Sequence, residues 1–204
     1  MGWWNSVLKY KNVNLYSGIG LYMADLAGKT YGWKNNENEL YDQLIYSNNG
    51  KNIDGVSIYN FNTLRRLKDG NDTYSAIQIK NGIKAWKMIV PPAEIKSFEK
   101  IKLDKPKNLK VKNKKISFNK VNGAKFYVIY RSKEKVLFKS EEIIDIFGDN
   151  NEVVNWNDKE EGQFYYGVRA LSYSNTLGDG ATAKSNYLSL SYIFAIILIS
   201  LLFN

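Results

Sequence analysis

The sequence predicts two fold classes in one chain: an α/β segment followed by an all-β sandwich. Val13–Leu21 and Asp54–Leu64 each have the composition of a buried strand, and an amphipathic helix separates them. Strand, helix and strand at this spacing predict a βαβ crossover with parallel pairing. After Pro106 the pattern changes to short alternating strands divided by glycine, asparagine and charged turns, which is typical of an antiparallel sandwich.

The α/β segment holds about two βα units, and none follows Pro91–Pro92. A complete (β/α)8 barrel takes roughly 250 residues. We therefore expect the last two βα units of a barrel whose earlier units are missing from the sequence. The expected domains are a barrel segment, a charged linker, a β-sandwich and an apolar tail, at residues 1–92, 93–104, 105–186 and 187–204.

Apolar spacing predicts each element of the barrel segment in turn. Trp3 with Val7, and Trp4 with Leu8, stand four residues apart, which predicts a helix over residues 3–11. The first strand is expected to be buried on both faces, because glycines interrupt a run of apolar side chains. Its Gly18-x-Gly20 is too short, and wrongly placed, for a phosphate-binding loop.

Ala24–Trp33 is expected to be the loop at the carboxyl end of the first strand, where barrel active sites lie. The next helix is expected to begin after Asn35 or Asn36, with Leu40, Leu44 and Ile45 facing inward, and Ser47–Ile53 to form the turn after it. A last helix is predicted over Thr73–Met88 and is ended by Pro91–Pro92. Its predicted inward stripe comprises Ile79, Ile83, Trp86 and Val90.

Four strands of the sandwich are predicted from alternating side chains: Leu109–Val111, Lys115–Phe118, Phe126–Tyr130 and Phe164–Leu171. Tyr127 and Ile129 are expected to face opposite to Val128 and Tyr130. Lys105–Lys115 is expected to be a solvated edge strand, where lysines discourage aggregation. Asn155–Asp158 and Tyr165–Tyr166 predict a tyrosine corner, in which a phenol ties down a crossover between sheets.

The apolar tail Leu188–Phe203 has three interpretations. A helix of these sixteen residues would be about 24 Å long, which is shorter than the ~30 Å thickness of the hydrocarbon core. The tail is therefore expected to form at most a short membrane anchor. The alternatives are an altered reading frame in an AT-rich gene and a buried terminal strand. At the other end, Met1–Trp4 leads into an amphipathic helix rather than a secretory signal.

Composition excludes several kinds of chemistry. The 204 residues contain no cysteine and no histidine, so disulfides, thiolate or histidine catalysis and the usual zinc sites are excluded. We expect no cofactor and no metal. The net charge of +9 is shared as +4 over residues 1–92 and +5 over residues 93–204, and the dense run Lys105–Lys115 lacks interleaved aromatics, so nucleic acid is not expected as a partner.

The stretch WWNSVLKYKNVNLYSGIGLYM at Trp3–Met23 resembles part of a bacterial glycoside-hydrolase-like (β/α)8 family, similar to family 10 and formerly a domain of unknown function. In that family a helix beginning with paired tryptophans leads into a strand close to V-x-L-Y-x-G-x-x-x-Y. The resemblance continues through Trp33, through GVSIYNF as the closing strand, and to Pro91–Pro92. It covers residues 1–92.

Residues 105–183 are similar to a fibronectin type III domain, which often follows this barrel. ISFNKVNGAKFYVIYRS corresponds to the second and third strands, and FYYGVRALS to the penultimate strand. Phe118 stands where a tryptophan is usual, and SNTLGDGA replaces the usual N-x-E-S exit, which leaves the final strand in doubt.

The resemblance implies cleavage of glycosidic bonds in cell-wall or related polysaccharide by a parent protein of the bacterial envelope or exterior. This chemistry needs two carboxylic acids. In such barrels they lie on middle strands that this sequence does not contain, so no catalytic residue is assigned and the chain is expected to be inactive alone. The implied partners are carbohydrate, such as peptidoglycan, a missing N-terminal barrel fragment and, through the tail, a membrane.

Four residues are candidates for contact with a sugar: Trp33, Tyr22, Asp25 and Phe61. Aromatic rings pack against the apolar C–H face of a pyranose. Each candidate also has a structural interpretation, namely loop capping for Asp25 and barrel packing for Tyr22 and Phe61, and Asp54 is expected to be structural. Three hypotheses stay open: a hydrolase remnant, an anchored carbohydrate-binding or surface-interaction module, and one half of a two-chain enzyme.

Overall fold

The computed structural model describes residues 3, 6, 7, 12–26, 31–50, 52–65, 73–112 and 114–185. The chain divides into two compact units. The first comprises Met1–Lys87 with Ile95–Phe98, and the second comprises Met88–Glu94 with the residues from Glu99 onward. The predicted tail 187–204 and most of the predicted helix 3–11 lie outside the described residues, although Trp3, Ser6 and Val7 are helical.

The first unit is a βαβ arrangement. Strand β1 spans Tyr16–Gly20 and strand β2 spans Gly55–Tyr59, and the two pair in parallel from Tyr16 opposite Gly55 to Gly20 opposite Tyr59. Between them lie a 3-10 helix at Leu21–Asp25, helix α1 at Tyr31–Asn35 and helix α2 at Glu39–Asn48. Helix α3 at Phe61–Arg65, helix α4 at Tyr74–Gly82 and a 3-10 turn at Ile83–Ala85 follow β2. The parallel crossover agrees with the sequence prediction, while the barrel stays a prediction.

The core of the first unit forms where the helices cover one face of the two strands. Its buried apolar members are Ile19, Leu21, Ala24, Trp33, Leu40, Leu44 and Ile79. Leu40 and Leu44 stand four residues apart on α2, so one face of the helix packs inward, as the apolar spacing predicts. Ile45, placed in the same predicted stripe, is only half-buried.

Four predictions for the first unit were wrong in detail. Tyr16 of β1 is 48% exposed, so this strand is not buried on both faces. The predicted loop Ala24–Trp33 contains the end of a 3-10 helix and the start of α1, and residues 61–65 form α3 rather than the end of β2. Helix α4 ends well before the prolines, and its inward stripe is wrong beyond Ile79, because Ile83, Trp86 and Val90 are exposed.

The second unit is a sandwich of two antiparallel sheets. Its strands are β3 Lys110–Lys112, β4 Lys115–Asn119, β5 Ala124–Ser132, β6 Ile143–Phe147, β7 Val153–Asn157, β8 Tyr165–Ser172 and β9 Leu177–Lys184. One sheet has the order β3-β4-β7 and the other β6-β5-β8-β9. The prediction of an all-β portion is therefore confirmed, and β3 is an edge strand as expected.

Alternation along β5 divides the apolar side chains between two faces. Tyr127 and Ile129 belong to the core between the sheets, whereas Val128 and Tyr130 belong to a second cluster that also contains Val136 and Leu171. This confirms the predicted facing of these four residues. In the core between the sheets, Phe118 packs edge-on against Tyr127, with ring centroids 4.9 Å apart.

The second cluster is covered by the connection between β5 and β6, which we call the strap (residues 133–142). Phe138 of the strap has a φ of 58° and packs edge-on against Tyr130, with centroids 5.0 Å apart. A Cβ atom added to Gly167 or Gly180 would overlap the Phe138 ring. These two glycines, on β8 and β9, therefore leave room for the ring, and we call this space the seat of Phe138.

Candidate functional site

The carboxyl ends of β1 and β2 meet at one edge of the first unit, because Gly20 and Tyr59 are paired in the parallel register. The residues that follow each strand line one pocket of about 360 Å³, called here the carboxyl-end pocket: Tyr22, Asp25, Leu26, Asn60, Asn62 and Thr63. In open and closed parallel sheets alike, ligands bind outside the carboxyl ends of the strands. Topology thus makes this pocket the leading candidate site in the first unit.

One exposed aromatic ring, that of Tyr22, lines the pocket, and two more exposed aromatic residues neighbour the lining residues. Tyr22 and Tyr59 pack edge to face with centroids 5.5 Å apart, and their exposed fractions are 39% and 64%. Phe61 lies between two pocket residues in the sequence and is 72% exposed. Large exposed apolar side chains beside polar groups are typical of ligand surfaces. Two of the predicted contact residues, Tyr22 and Phe61, are therefore at this edge of the sheet.

The polar side of the pocket is organised by Asn60. Its side-chain oxygen accepts hydrogen bonds from the Thr63 backbone N–H at 3.1 Å and the Thr63 hydroxyl at 3.2 Å. Thr63 is buried, so both bonds hold the amide in one orientation. An amide oriented through its oxygen keeps its two N–H groups as donors for a ligand.

Asp25 also lines the pocket, but its carboxylate holds the start of α4. Its two oxygens accept the Ser75 backbone N–H at 2.9 Å and the Ser75 hydroxyl at 2.6 Å. Ser75 is fully buried and lies in the first turn of α4, where backbone N–H groups lack partners within the helix. These contacts give Asp25 a structural role at a distant helix, and loop capping by Asp25 stays a prediction.

Trp33 lies away from solvent, in the core of the first unit. It is a residue of α1 and only 8% exposed, which corrects its expected position in a polar loop. Its backbone carbonyl accepts a hydrogen bond of 2.8 Å from the buried side chain of Gln78. Its ring therefore offers no open face to a sugar. Asp54 has the structural position expected for it, because it accepts the Leu15 N–H at 2.9 Å and pairs with Lys96 at 2.8 Å.

A buried ionic cluster lies at the predicted tyrosine corner of the second unit. The Tyr166 hydroxyl donates to Asp158 at 2.7 Å, and the Arg131 guanidinium donates to both oxygens of the same carboxylate at 2.9 Å. Burial by itself raises the pKa of Asp158. The hydrogen bonds from the Glu160 N–H, Tyr166 and Arg131 outweigh burial and hold that pKa below its ordinary value.

The same cluster borders a cleft of about 450 Å³. Trp156 stands there, with its indole N–H donating to Asp145 at 2.6 Å. Arg131 also pairs with Glu160 at 2.7 Å. Because each of these charged groups has a partner inside the cluster, the arrangement stabilises the sandwich and is not assigned to a ligand.

Neither a metal-ligand cluster nor a membrane-spanning helix is found in the described part of the chain. Within those ranges no three His, Cys, Asp or Glu side chains come together as a metal site. None of the helices described there combines the length and apolar character needed to cross a bilayer.

Sequence reasoning missed Tyr59, Asn60, Asn62 and Thr63. Their signal is the run YNFNT directly after a buried strand, which places aromatic, amide and hydroxyl side chains at the carboxyl end of β2. The helical turn of α3 bends this run back toward the pocket, and the sequence had indicated a continuing strand.

No protein-family model matches the sequence, and no curated protein matches it. Solved structures similar to the chain include an Fn3-like protein from Clostridium thermocellum, with 21% identity, 42% of this chain and 93% of that chain covered, and a TM-score of 0.33. A β-1,2-glucanase from Parabacteroides distasonis has 16% identity over 50% of this chain and 15% of its own, with a TM-score of 0.32.

The chitinase ChiA74 from Bacillus thuringiensis has 10% identity over 74% of this chain and 23% of its own, with a TM-score of 0.27. The chain thus spans a small share of both enzymes. Their TM-scores are low, and their activities are not transferred to this chain.

Proposed function

We propose that the first unit is the carbohydrate-contacting part of a glycoside-hydrolase-type protein, and that the chain by itself binds polysaccharide without cleaving it. The observation that carries the proposal is the carboxyl-end pocket, where the exposed ring of Tyr22 lies beside the oriented amide of Asn60. The resemblance of residues 1–92 to a glycoside-hydrolase-like barrel supports the same ligand class.

The pocket has the two kinds of group that a sugar requires. A pyranose presents an apolar C–H face, which packs on an aromatic ring such as that of Phe61, and a rim of hydroxyl groups. Asn60 keeps its amide N–H groups as donors for such hydroxyls, and Asn62 adds a second amide at the pocket. Because the rings are exposed, the contact suits a polymer that lies across the edge of the sheet better than a small molecule enclosed in a cavity.

Cleavage is not proposed, because glycoside hydrolysis uses two carboxyl groups about 5–9.5 Å apart across the scissile bond. Among the described residues that line the pocket, Asp25 is the one carboxylate. Both of its oxygens accept hydrogen bonds from Ser75. The proposed role of this edge is therefore to position substrate, with the catalytic acids supplied by other strands of a complete barrel.

The test is binding of the full chain to oligosaccharides from glucan, chitin and peptidoglycan, measured by calorimetry. Phe61→Ala and Tyr22→Ala are each expected to weaken binding about tenfold, because each removes an aromatic contact. Tyr46→Ala is the matched control, since Tyr46 is 67% exposed, lies on α2 and lines a different pocket. Equal binding by Phe61→Ala and Tyr46→Ala, or binding to none of the oligosaccharides, would overturn the proposal.

An envelope or extracellular location belongs to the same proposal. The alternative role, a membrane-anchored surface-interaction module, depends on residues 187–204, which lie outside the described residues. It stays a prediction and is tested by whether deletion of these residues removes the chain from a membrane fraction.

A further inference from the structure

Charge is strongly segregated along the second unit. Residues 100–125 contain ten lysines and one acidic side chain, whereas residues 126–185 contain seven basic and ten acidic side chains. The net charges of residues 1–92 and 93–204 do not reveal this difference, because the second range contains both stretches. The positive stretch includes β3 and β4, which carry Lys110, Lys112 and Lys115 on one sheet.

The outer face of the three-stranded sheet is built from lysine and amide side chains. Val111, Ile116, Phe118 and Val154 are buried, and strand alternation turns their neighbours outward. The pairing register arranges the outward residues in three rows across the sheet, the last of which pairs Asn119 with the exposed Val153. The other two rows hold six residues. We call these six residues the lysine face: Lys110, Ser117 and Asn155 in one row, and Lys112, Lys115 and Asn157 in the other.

Two lysines of this face are direct cross-strand neighbours. Lys112 on β3 pairs with Lys115 on β4, and side chains at such positions have Cβ atoms about 4.5–5.5 Å apart. Like charges at this distance destabilise a sheet. In the described part of the chain neither lysine has an ion pair, whereas Lys114 pairs with Glu161 at 2.9 Å.

Protection of an edge strand explains only part of this arrangement. Lysines on an edge discourage pairing with another sheet, which accounts for Lys110 and Lys112 on β3. Lys115 lies on β4, which is the central strand of its sheet and has both edges paired. The repulsion between Lys112 and Lys115 therefore needs another explanation, and a bound anion supplies one.

The lysine face continues into a cleft. At the end of β4, Asn119 borders a cleft of about 260 Å³ whose lining includes three lysines, Lys105, Lys107 and Lys120, and one acidic side chain, Asp104. Positive side chains thus extend from the face along one side of the unit. An extended row of charges, rather than one deep pocket, matches a polymer that carries repeated negative charges.

We propose that the lysine face binds an acidic polysaccharide, a chain of sugar rings bearing carboxylates. The lysines pair with the carboxylates, while Ser117, Asn155 and Asn157 offer hydrogen bonds to the hydroxyl groups between them. The six residues of the face include no aromatic ring on which nucleic-acid bases could stack, which favours a polysaccharide over a single-stranded nucleic acid. The proposal concerns a surface of the second unit and does not depend on the carboxyl-end pocket.

The experiment measures binding of the full chain to oligogalacturonate, with its methyl ester as the uncharged probe. The double variant Lys112→Gln/Lys115→Gln is expected to bind at least about tenfold more weakly and to lose most of the salt dependence. The matched control is Lys133→Gln/Lys135→Gln, which removes the same charge from two exposed lysines of the strap and is expected to change affinity less than about twofold. Lys112→Arg/Lys115→Arg keeps the charge and is expected to retain binding.

Four outcomes would overturn the proposal: no binding of oligogalacturonate, equal binding of its methyl ester, equal losses in the two double glutamine variants, or tighter binding of single-stranded DNA than of oligogalacturonate. Thermal unfolding of each variant separates loss of fold from loss of binding. Binding of uncharged glucan oligosaccharides, measured separately, reports on the carboxyl-end pocket, so failure of this proposal is distinguishable from failure of that one.

Discussion

Asp158 shows how a single buried charge can hold several strands together. Its carboxylate accepts hydrogen bonds from Arg131 on β5, from Tyr166 on β8 and from the Glu160 backbone. An unpaired buried carboxylate would favour its neutral form, and the cluster prevents this by surrounding the charge with donors. The stability of the corner therefore depends on the complete set of partners.

Asp158→Asn is expected to lower the free energy of unfolding by about 2–3 kcal/mol, because it leaves the half-buried Arg131 with Glu160 as its remaining acidic partner. The measurement is urea unfolding at neutral pH. Glu160→Gln is the control: Glu160 is 60% exposed, so its loss is expected to cost less than about 1 kcal/mol. Similar losses in the two variants would contradict this account of the cluster.

The same cluster predicts how stability depends on pH. The pKa of Asp158 is lower in the folded chain than in the unfolded chain. Its contribution to the free energy of unfolding is therefore present above the ordinary pKa of about 3.9 and is lost as the pH falls below that value. Burial and the hydrogen bond to Asp158 raise the pKa of Tyr166, so the contribution of Tyr166 to the free energy of unfolding is lost as the pH rises above about 10. Asp158→Asn should flatten the acid flank of the stability profile and Tyr166→Phe the alkaline flank.

At the scale of elements, Gln78 joins α4 to the other helices of the first unit. Its side-chain nitrogen donates to the carbonyls of Trp33 and Asn36, and its oxygen accepts the Leu40 N–H at 3.0 Å. Leu40 lies in the first turn of α2, where a backbone N–H has no partner within the helix. One buried amide thus satisfies three backbone groups.

Gln78→Leu is expected to destabilise the first unit by about 2–4 kcal/mol, because the Leu40 N–H and the Trp33 carbonyl lose their buried partner. Hydrogen exchange of the Leu40 amide should become markedly faster. Gln43→Leu is the control, since Gln43 is only partly buried and bonds to the Glu39 side chain at 2.8 Å. Unchanged exchange at Leu40 in Gln78→Leu would refute the role assigned to this side chain.

Element prediction succeeded where local pattern and final packing agree. The alternation of Phe126–Tyr130 and the spacing of Leu40 and Leu44 are visible in the sequence and preserved in the structure.

Strand β9 is not predictable from its own sequence, because its residues LGDGATAK have little strand propensity and depend on pairing with β8. The end of α4 was misplaced for a related reason: its inner face uses Ser75, Gln78 and Gly82, which an apolar count does not detect.

The sequence predicted where the candidate site lies better than it predicted which side chains are exposed there. The carboxyl end of a buried strand can be read from the sequence, and this located Tyr22, Asp25 and Phe61. Whether a side chain there faces solvent depends on helices from distant parts of the chain. The burial of Trp33 on α1 and the hydrogen bond that Ser75 donates to Asp25 both depend on α4 and were beyond sequence reasoning.

At the scale of the whole molecule, the chain is expected to bind oligosaccharides without releasing reducing ends over hours at neutral pH. The reason is the single carboxylate among the described pocket residues and its engagement by Ser75. The measurement is a reducing-sugar assay on full chain and on Asp25→Asn. Product formation that Asp25→Asn abolishes would show Asp25 to be catalytic and would contradict the positioning role.

Because the ring of Phe138 packs on strands that are synthesised after it, the ring is covered only late in synthesis. Phe138 leaves the ribosome before Gly167 and Gly180, the two residues that form its seat. Until those later strands emerge and pair, the ring and the apolar side of β5 have no cover, so the nascent chain passes through a stage at which this surface is open to other chains. Strand β9, the last strand among the described residues, therefore completes the cover on the apolar side of β5, which is made before it.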